Sequence, residues 1–281
     1  MQFENIADTA FWIAGFRAQE TDRPDAVFHD VLAKKLAGAQ GAEMVANTPG
    51  TERMAFSMVI RTTSIDQLAE HAVERGVDTI INLGAGLDTR PYRLRLPADL
   101  NWIEVDFPNI IDYKNTKLAD EKPVCNLSRI AFDLSNEIKR TAFLLELGDN
   151  TKQALVITEG LISYLSNEKA SQLSKDIFEV PSFKYWIHDY SQGKFRRLGR
   201  SRKWEKLLEK TPIIFDVDNP IMFFSKDGWK VAENIHILDE ADRLGRKLPL
   251  AKFPWTLLIR LFPKWARKTG NNTYGCVMYG R

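Results

Sequence analysis

Hydrophobic positions along the chain gather into short apolar runs divided by longer stretches with a helical mix of apolar and charged residues. One run, Ile80-Ile81-Asn82-Leu83, stops on Gly84-Ala85-Gly86-Leu87-Asp88-Thr89-Arg90. Buried parallel strands read as continuous apolar runs, and glycine at the strand end permits positive φ and close approach of a ligand. Further strands are expected at Asn101-Trp102-Ile103-Glu104-Val105-Asp106, around 129–132, at Ala154-Leu155-Val156-Ile157-Thr158 and at Phe183-Lys184-Tyr185-Trp186-Ile187-His188. Residues before about 76 read as helices. Ser64-Ile65-Asp66-Gln67 has the spacing of a capping box, and Gly76 ends that helix before the first strand. Residues 273–279 read as a final strand. The alternation predicts an α/β fold, a parallel sheet with helices on both faces.

The glycine turn is where this pattern turns into chemistry. A GxG after a strand serves both dinucleotide enzymes and methyltransferases, so its flanks decide. The dinucleotide fingerprint places a third glycine three residues after the second, beside the pyrophosphate. Here that position is Thr89. Asp88 would repel a pyrophosphate yet tolerate a cationic sulfonium, which moves the balance toward S-adenosylmethionine. About 20 residues on, where a ribose-binding acid belongs, Asp106 and Glu104 share one strand face, and Asp106 at the strand end is favoured.

These pieces together resemble the leucine carboxyl methyltransferase family, in its bacterial branch of small-molecule O-methyltransferases. The resemblance rests on Thr9-Ala10-Phe11-Trp12, Arg17-Ala18-Gln19-Glu20, Arg61-Thr62, 83–94, Glu104-Val105-Asp106-Phe107-Pro108, Asp133-Leu134 and 158–165, in order over about residues 9–190. It implies a class I methyltransferase fold, a Rossmann-like seven-stranded sheet with helices on both faces and an added helical cap. The final strand would then lie antiparallel near the sheet edge. The whole chain would be one domain: cap helices to 76, cofactor core 77–190, lid and substrate region 191–272, last strand 273–281.

The resemblance also implies roles. Arg61 would pair with the methionyl carboxylate of the cofactor, a task suited to a planar guanidinium. Gly84, Ala85 and Gly86, with Asp88 beside them, would form the backbone cradle, and Asp106 would hold the ribose. Asp133 and Leu134 would receive the adenine, and Glu159 would face the methionyl amine. Taken alone, Arg61 also reads as a solvated helix arginine and Asp133 as a helix cap. Glu159 directly follows an apolar strand, and in open α/β sheets ligands bind outside the carboxyl ends of strands.

The acceptor is read from chemistry. A carboxylate, with a pKa of about 4, is already ionised at neutral pH, whereas a phenol near 10 needs a general base. Arg17 and Tyr164 are the candidates to orient a carboxylate. For a hydroxyl acceptor, His188 at the end of the fifth strand would be the base. The expected reaction is therefore carboxyl O-methylation of a small apolar or aromatic acid. Alternatives are hydroxyl methylation, methylation of a protein's terminal carboxylate, a nicotinamide-dependent oxidoreductase and a cofactor-binding regulator.

Composition narrows the partners. With 281 residues, 44% of them hydrophobic, the chain can bury a full core, and a formal charge of +2 gives no global reason to bind nucleic acid. Locally, seven of the thirteen residues 194–206 are Lys or Arg, which reads as a solvated face or a lid that attracts an anion. Residues 253–268 mix aromatics with bases and read as a packed helix or a surface anchor. Cys125 and Cys276 lack metal spacing. With no signal-like amino terminus and no run of about 18 apolar residues, a cytoplasmic protein without stable membrane insertion is expected. Oligomeric state is left open.

Overall fold

The computed structural model describes residues 6–191, 206–247, 249 and 274–281. Three helices precede the sheet: α1 (Ile6–Thr21), α2 (Val31–Ala46) and α3 (Thr51–Glu74). The alternating part follows as β1 (Thr79–Leu83), α4 (Arg90–Arg93), β2 (Asn101–Asp106), α5 (Pro108–Lys117), β3 (Asn126–Ala131), α6 (Glu137–Asp149), β4 (Ala154–Thr158), a 3₁₀ turn (Ile162–Tyr164), α7 (Asn167–Glu179) and β5 (Phe183–Ser191). Then come α8 (Pro220–Ser225), β6 (Lys230–His236), α9 (Ile237–Arg243) and β7 (Tyr274–Gly280).

The seven strands form one sheet in the order β3-β2-β1-β4-β5-β7-β6. β1 to β5 pair in parallel, and β7 runs antiparallel between β5 and β6. The chain winds outward from β1 to β3, then returns to β4 on the other side. That reversal opens a crevice at the carboxyl ends of β1 and β4, where open α/β sheets bind ligands.

Both faces of the sheet are covered, which is why its central strands read as unbroken apolar runs. On one face Ile81, Val105, Val156 and Trp186 pack with Leu144 of α6 and Leu173 and Ile177 of α7. On the other, Ile80, Trp102, Leu155, Ile187 and Met278 pack with Ile65, Leu68 and Ala72 of α3. α1 lies against α2, and Trp12 and Phe16 form a separate cluster with Met44, Met58 and Leu207.

Two local expectations change. The Ser64 box is no helix start: α3 begins at Thr51, after Gly50 with φ of +65°, and Ser64 is buried mid-helix. Thirteen further residues of helix precede it because that stretch also packs against the body, which outweighs a local cap signal. β5 continues three residues beyond His188, because Asp189, Tyr190 and Ser191 still pair with β7. At the sheet edge stands β6, which had no assigned place, while β7, from Tyr274, runs antiparallel beside it near the edge as expected. The 194–206 and 253–268 readings fall, in whole or nearly so, outside the described residues.

Candidate active site

The crevice holds a cavity of about 340 Å³. Its walls come from the strand ends, from α1 and from α3. Arg17, Arg61, Gly84, Ala85, Gly86, Asp88, Asp106, Glu159 and Tyr164, all singled out from sequence, line it. A second cavity of about 320 Å³ adjoins it across Gly84, Asp106, Phe107, Leu161 and Tyr164, and is lined further by Phe132, Leu134 and Arg140.

The turn after β1 is built by its glycines. Gly84 and Gly86 have φ of +70° and +49°, a region that favours residues without a Cβ. A Cβ on Gly86 would also lie 3.3 Å from Ala10 on α1. The amides of Gly84 and Ala85 donate to the carbonyl of Val105, and the amide of Gly86 donates to the Asp106 carboxylate at 2.6 Å. Asp106 also accepts from the Phe107 amide at 2.7 Å. Burial raises its pKa, with both amides opposing. Glu104, on the same strand face, is fully buried against Lys114 at 2.9 Å and Arg129 at 2.8 Å, so its carboxylate serves the core beneath the site.

Asp88 turns inward. It accepts from Asn82 at 2.8 Å and from the Arg90 amide and guanidinium at 2.9 and 2.8 Å. Burial opposes its charge, yet Arg90 and Arg17 outweigh burial and hold the carboxyl well below the usual range. Thr89, in place of a third glycine, donates its hydroxyl to Asp30 at 2.6 Å. Arg17 lies 2.9 Å from the same Asp30 and donates to the Leu87 carbonyl. Its charge is thus spent on bracing the cradle from α1, although it borders the cavity.

Arg90 is the hub that sequence reading quoted but did not assign. Its side chain is 1% exposed and contacts Asp66 at 2.6 Å, Asp88 at 2.8 Å and Glu159 at 2.8 Å. Arg61 approaches the other oxygen of Glu159 at 2.9 Å and Asp189 at 3.4 Å. Burial again opposes Glu159, and Arg90 with Arg61 lowers its pKa. Asp189 also accepts from the Gly160 amide at 2.6 Å. Sequence reading passed over Asp189, although the strand's period of two puts it on the face opposite His188.

His188 does not enter the cavity. It is fully buried among Trp186, Phe224 and Tyr279, with its Nδ1 3.0 Å from the Asp189 carbonyl. Burial pushes its pKa down to about 4. Tyr164 does face both cavities, with its hydroxyl bonded to Thr9 and its pKa raised by burial.

Leu134 lines the second cavity, whereas Asp133 is exposed beside it and accepts from the Ser135 amide at 2.9 Å. The helix cap is Asn136, which accepts from Lys139. Arg140 fixes this loop: it donates to the Leu134 carbonyl at 3.0 Å and is clamped on Asp176 at 2.6 and 2.8 Å.

The leucine carboxyl methyltransferase family model matches residues 10–178. A Streptomyces coelicolor protein, named as a candidate S-adenosylmethionine-dependent methyltransferase, is 33% identical over 188 residues, covering 64% of this chain and 66% of the relative. A Mycobacterium bovis protein with the same kind of name is 31% identical over 262 residues, 81% of each chain. The chain belongs to the leucine carboxyl methyltransferase family. Its cofactor is accordingly S-adenosylmethionine and its reaction class methyl transfer. Solved structures agree on the fold: a DUF574 family protein from Streptomyces avermitilis superposes with a TM-score of 0.60 at 14% identity, over 95% of this chain and 96% of that one. A candidate methyltransferase from Thermobifida fusca does so at 0.52 and 15%, over 96% and 94%.

The family's cofactor fits the residues present. The positive-φ glycine turn, the strand-end acid Asp106 and the Arg61–Glu159 pair occupy successive positions along one cavity. No helix among the described residues is long and apolar enough to cross a membrane, and none of their His, Cys, Asp and Glu side chains group as a metal site.

Proposed function

We propose that this methyltransferase transfers the methyl group to the carboxylate of a small apolar or aromatic acid, giving a methyl ester, in the cytoplasm. The single observation that carries this reading is the state of the titratable groups lining the cavity. Glu159 is held ionised by two arginines, and Asp189 is engaged by Arg61 and an amide. The hydroxyls of Tyr164 and Tyr274 have raised pKa values. His188, the base that a phenol acceptor would need, lies in the aromatic core. Among the described residues that line the cavity there is no histidine to serve as a base. An acceptor that arrives ionised, as a carboxylate does, needs no such group.

The rest of the cavity suits an apolar body on that acid. Trp12 and Ile13 of α1, Met54 and Met58 of α3, and Leu208 and Ile213 also line it. Methionine adapts to varied flat or aliphatic shapes.

S-adenosylmethionine, when bound, supplies an electrophilic methyl on a sulfonium. The chain's part is to hold, align and exclude water. Gly84 to Gly86 let the backbone come close, Asp106 offers a carboxylate to the ribose, and Leu134 offers its backbone to the adenine. Arg61 and Glu159 are suited to the methionyl carboxylate and amine. Arg17 braces this arrangement, and Tyr164 borders the path between the two cavities.

The test is product analysis. Native protein, methyl-labelled S-adenosylmethionine and a panel of apolar monocarboxylic acids should yield label that alkali releases as methanol. Label that survives alkali as an ether would mean a hydroxyl acceptor and sink the carboxylate reading.

A further inference from the structure

β7 contributes one side chain to the cavity, and its hydroxyl is unused. Tyr274 opens the strand opposite Ser191 of β5, and both line the cavity. Two residues on, Cys276 pairs in register with Asp189 and touches the Arg61 carbonyl with its sulfur at 3.9 Å. Because side chains alternate along strands, Asp189, Ser191, Tyr274 and Cys276 share the face turned toward α3. The ring of Tyr274 packs with Phe56 and Ile60 of α3 and Ile237 of α9, which fixes its direction. Its hydroxyl oxygen is nevertheless buried without a hydrogen-bond partner. A buried hydroxyl left unpaired costs stability, so the fold gains nothing from it by itself.

The order of strands assigns the ligand. The glycine turn belongs to β1, Asp106 to β2 and the Leu134 loop follows β3, all on one side of the crevice. Glu159 follows β4, near the centre. Asp189 and Tyr274 stand on β5 and β7, successively farther from the cofactor cradle. A hydroxyl at that end is suited to the acceptor.

We propose that Tyr274 is a positioning residue that donates its hydroxyl hydrogen to one carboxylate oxygen of the acceptor acid. This rests on the carboxylate reading above. The other carboxylate oxygen forms the new bond to the methyl carbon while the carbon–sulfur bond breaks. The electron pair of that bond stays on sulfur, which becomes a neutral thioether, and no proton moves. Tyr274 thus chooses which oxygen is free to attack, and it discriminates an acid from the matching primary alcohol.

The experiment compares the native chain with Tyr274→Phe. The panel of monocarboxylic acids is first run on native protein, and the best acid is carried to the variant. Loss of a hydrogen bond to a charged group predicts a KM for that acid raised about ten- to a hundredfold. Thermal stability should be equal or higher, since an unpaired hydroxyl has been removed, and S-adenosylhomocysteine affinity should stay within about twofold. An unchanged KM overturns the Tyr274 assignment and leaves the carboxylate reading standing. Weakened S-adenosylhomocysteine binding with methylthioadenosine binding intact would give the hydroxyl to the methionyl carboxylate, and so also overturn it. If the native chain esterifies no acid and methylates hydroxyls instead, both proposals fall together.

Discussion

The Gly86 amide donates to the Asp106 carboxylate at 2.6 Å, tying the turn after β1 to the end of β2. The acid that is suited to the ribose therefore also sets the shape of the turn that must approach it. Gly86→Asp would add a second carboxylate beside Asp106, at a φ of +49° and with a Cβ 3.3 Å from Ala10. We expect S-adenosylhomocysteine binding to fall by two orders of magnitude or more in calorimetry. The circular dichroism spectrum should remain native, and retained binding would mean that the cradle lies elsewhere.

Arg90 holds Asp66, Asp88 and Glu159 together, so removing it strands buried carboxylates. Breaking one buried pair costs roughly 3–5 kcal/mol, and Arg90→Gln should reach at least that in urea denaturation. The pH dependence has a defined sign. Asp88 and Glu159 have folded-state pKa values below their unfolded ones. Their stabilisation is therefore complete above the unfolded values of about 4 and is lost as pH falls through the folded ones. Denaturation of the native chain should show that acid loss, and Arg90→Gln should show much less of it.

His188 is buried neutral, with a pKa pushed from 6.5 to about 4. Between those values the unfolded chain takes up a proton that the folded one refuses, so stability falls as pH drops from 6.5 toward 4. His188→Phe should flatten that part of the stability curve and leave methyl transfer within a few-fold of native at pH 7. A thousandfold loss of activity in a folded variant would restore the histidine to the chemistry.

The Leu134 loop depends on Arg140, whose own charge is balanced by Asp176. Replacing both as Arg140→Met with Asp176→Asn avoids a stranded charge, so stability should change little. The loop carbonyl loses its donor, and affinity for S-adenosylhomocysteine should drop about tenfold, the worth of one hydrogen bond. Equal affinity would mean that the loop holds its shape unaided.

How far the chain announced all this depends on the range of the interactions concerned. β1, β2 and β4 were legible because each is an apolar run ended by glycine or an acid, and both signals are local. β6 was not, since an edge strand such as Lys230–His236 carries exposed Lys230 and half-buried, ion-paired Glu233 and shows no apolar run. Glycine turn, Asp106 and Glu159 were readable as strand-end chemistry. Asp189, Arg90 and Tyr274 were not, because their roles come from partners far away in the chain: Arg61 for Asp189, Asp66 and Glu159 for Arg90. His188 was misjudged by one position on a strand, where one residue exchanges cavity for core.

β7 separates β5 from β6, and it is made only after some 270 residues of chain. During synthesis the half of the sheet from β1 to β4 can assemble while β5 still exposes a bare edge, a template for pairing with other chains. The half proposed to hold the nucleoside can thus mature before the half proposed to select the acceptor. A nascent chain arrested ahead of Tyr274 should retain the β1-to-β4 half of the architecture yet depend on chaperones to escape aggregation.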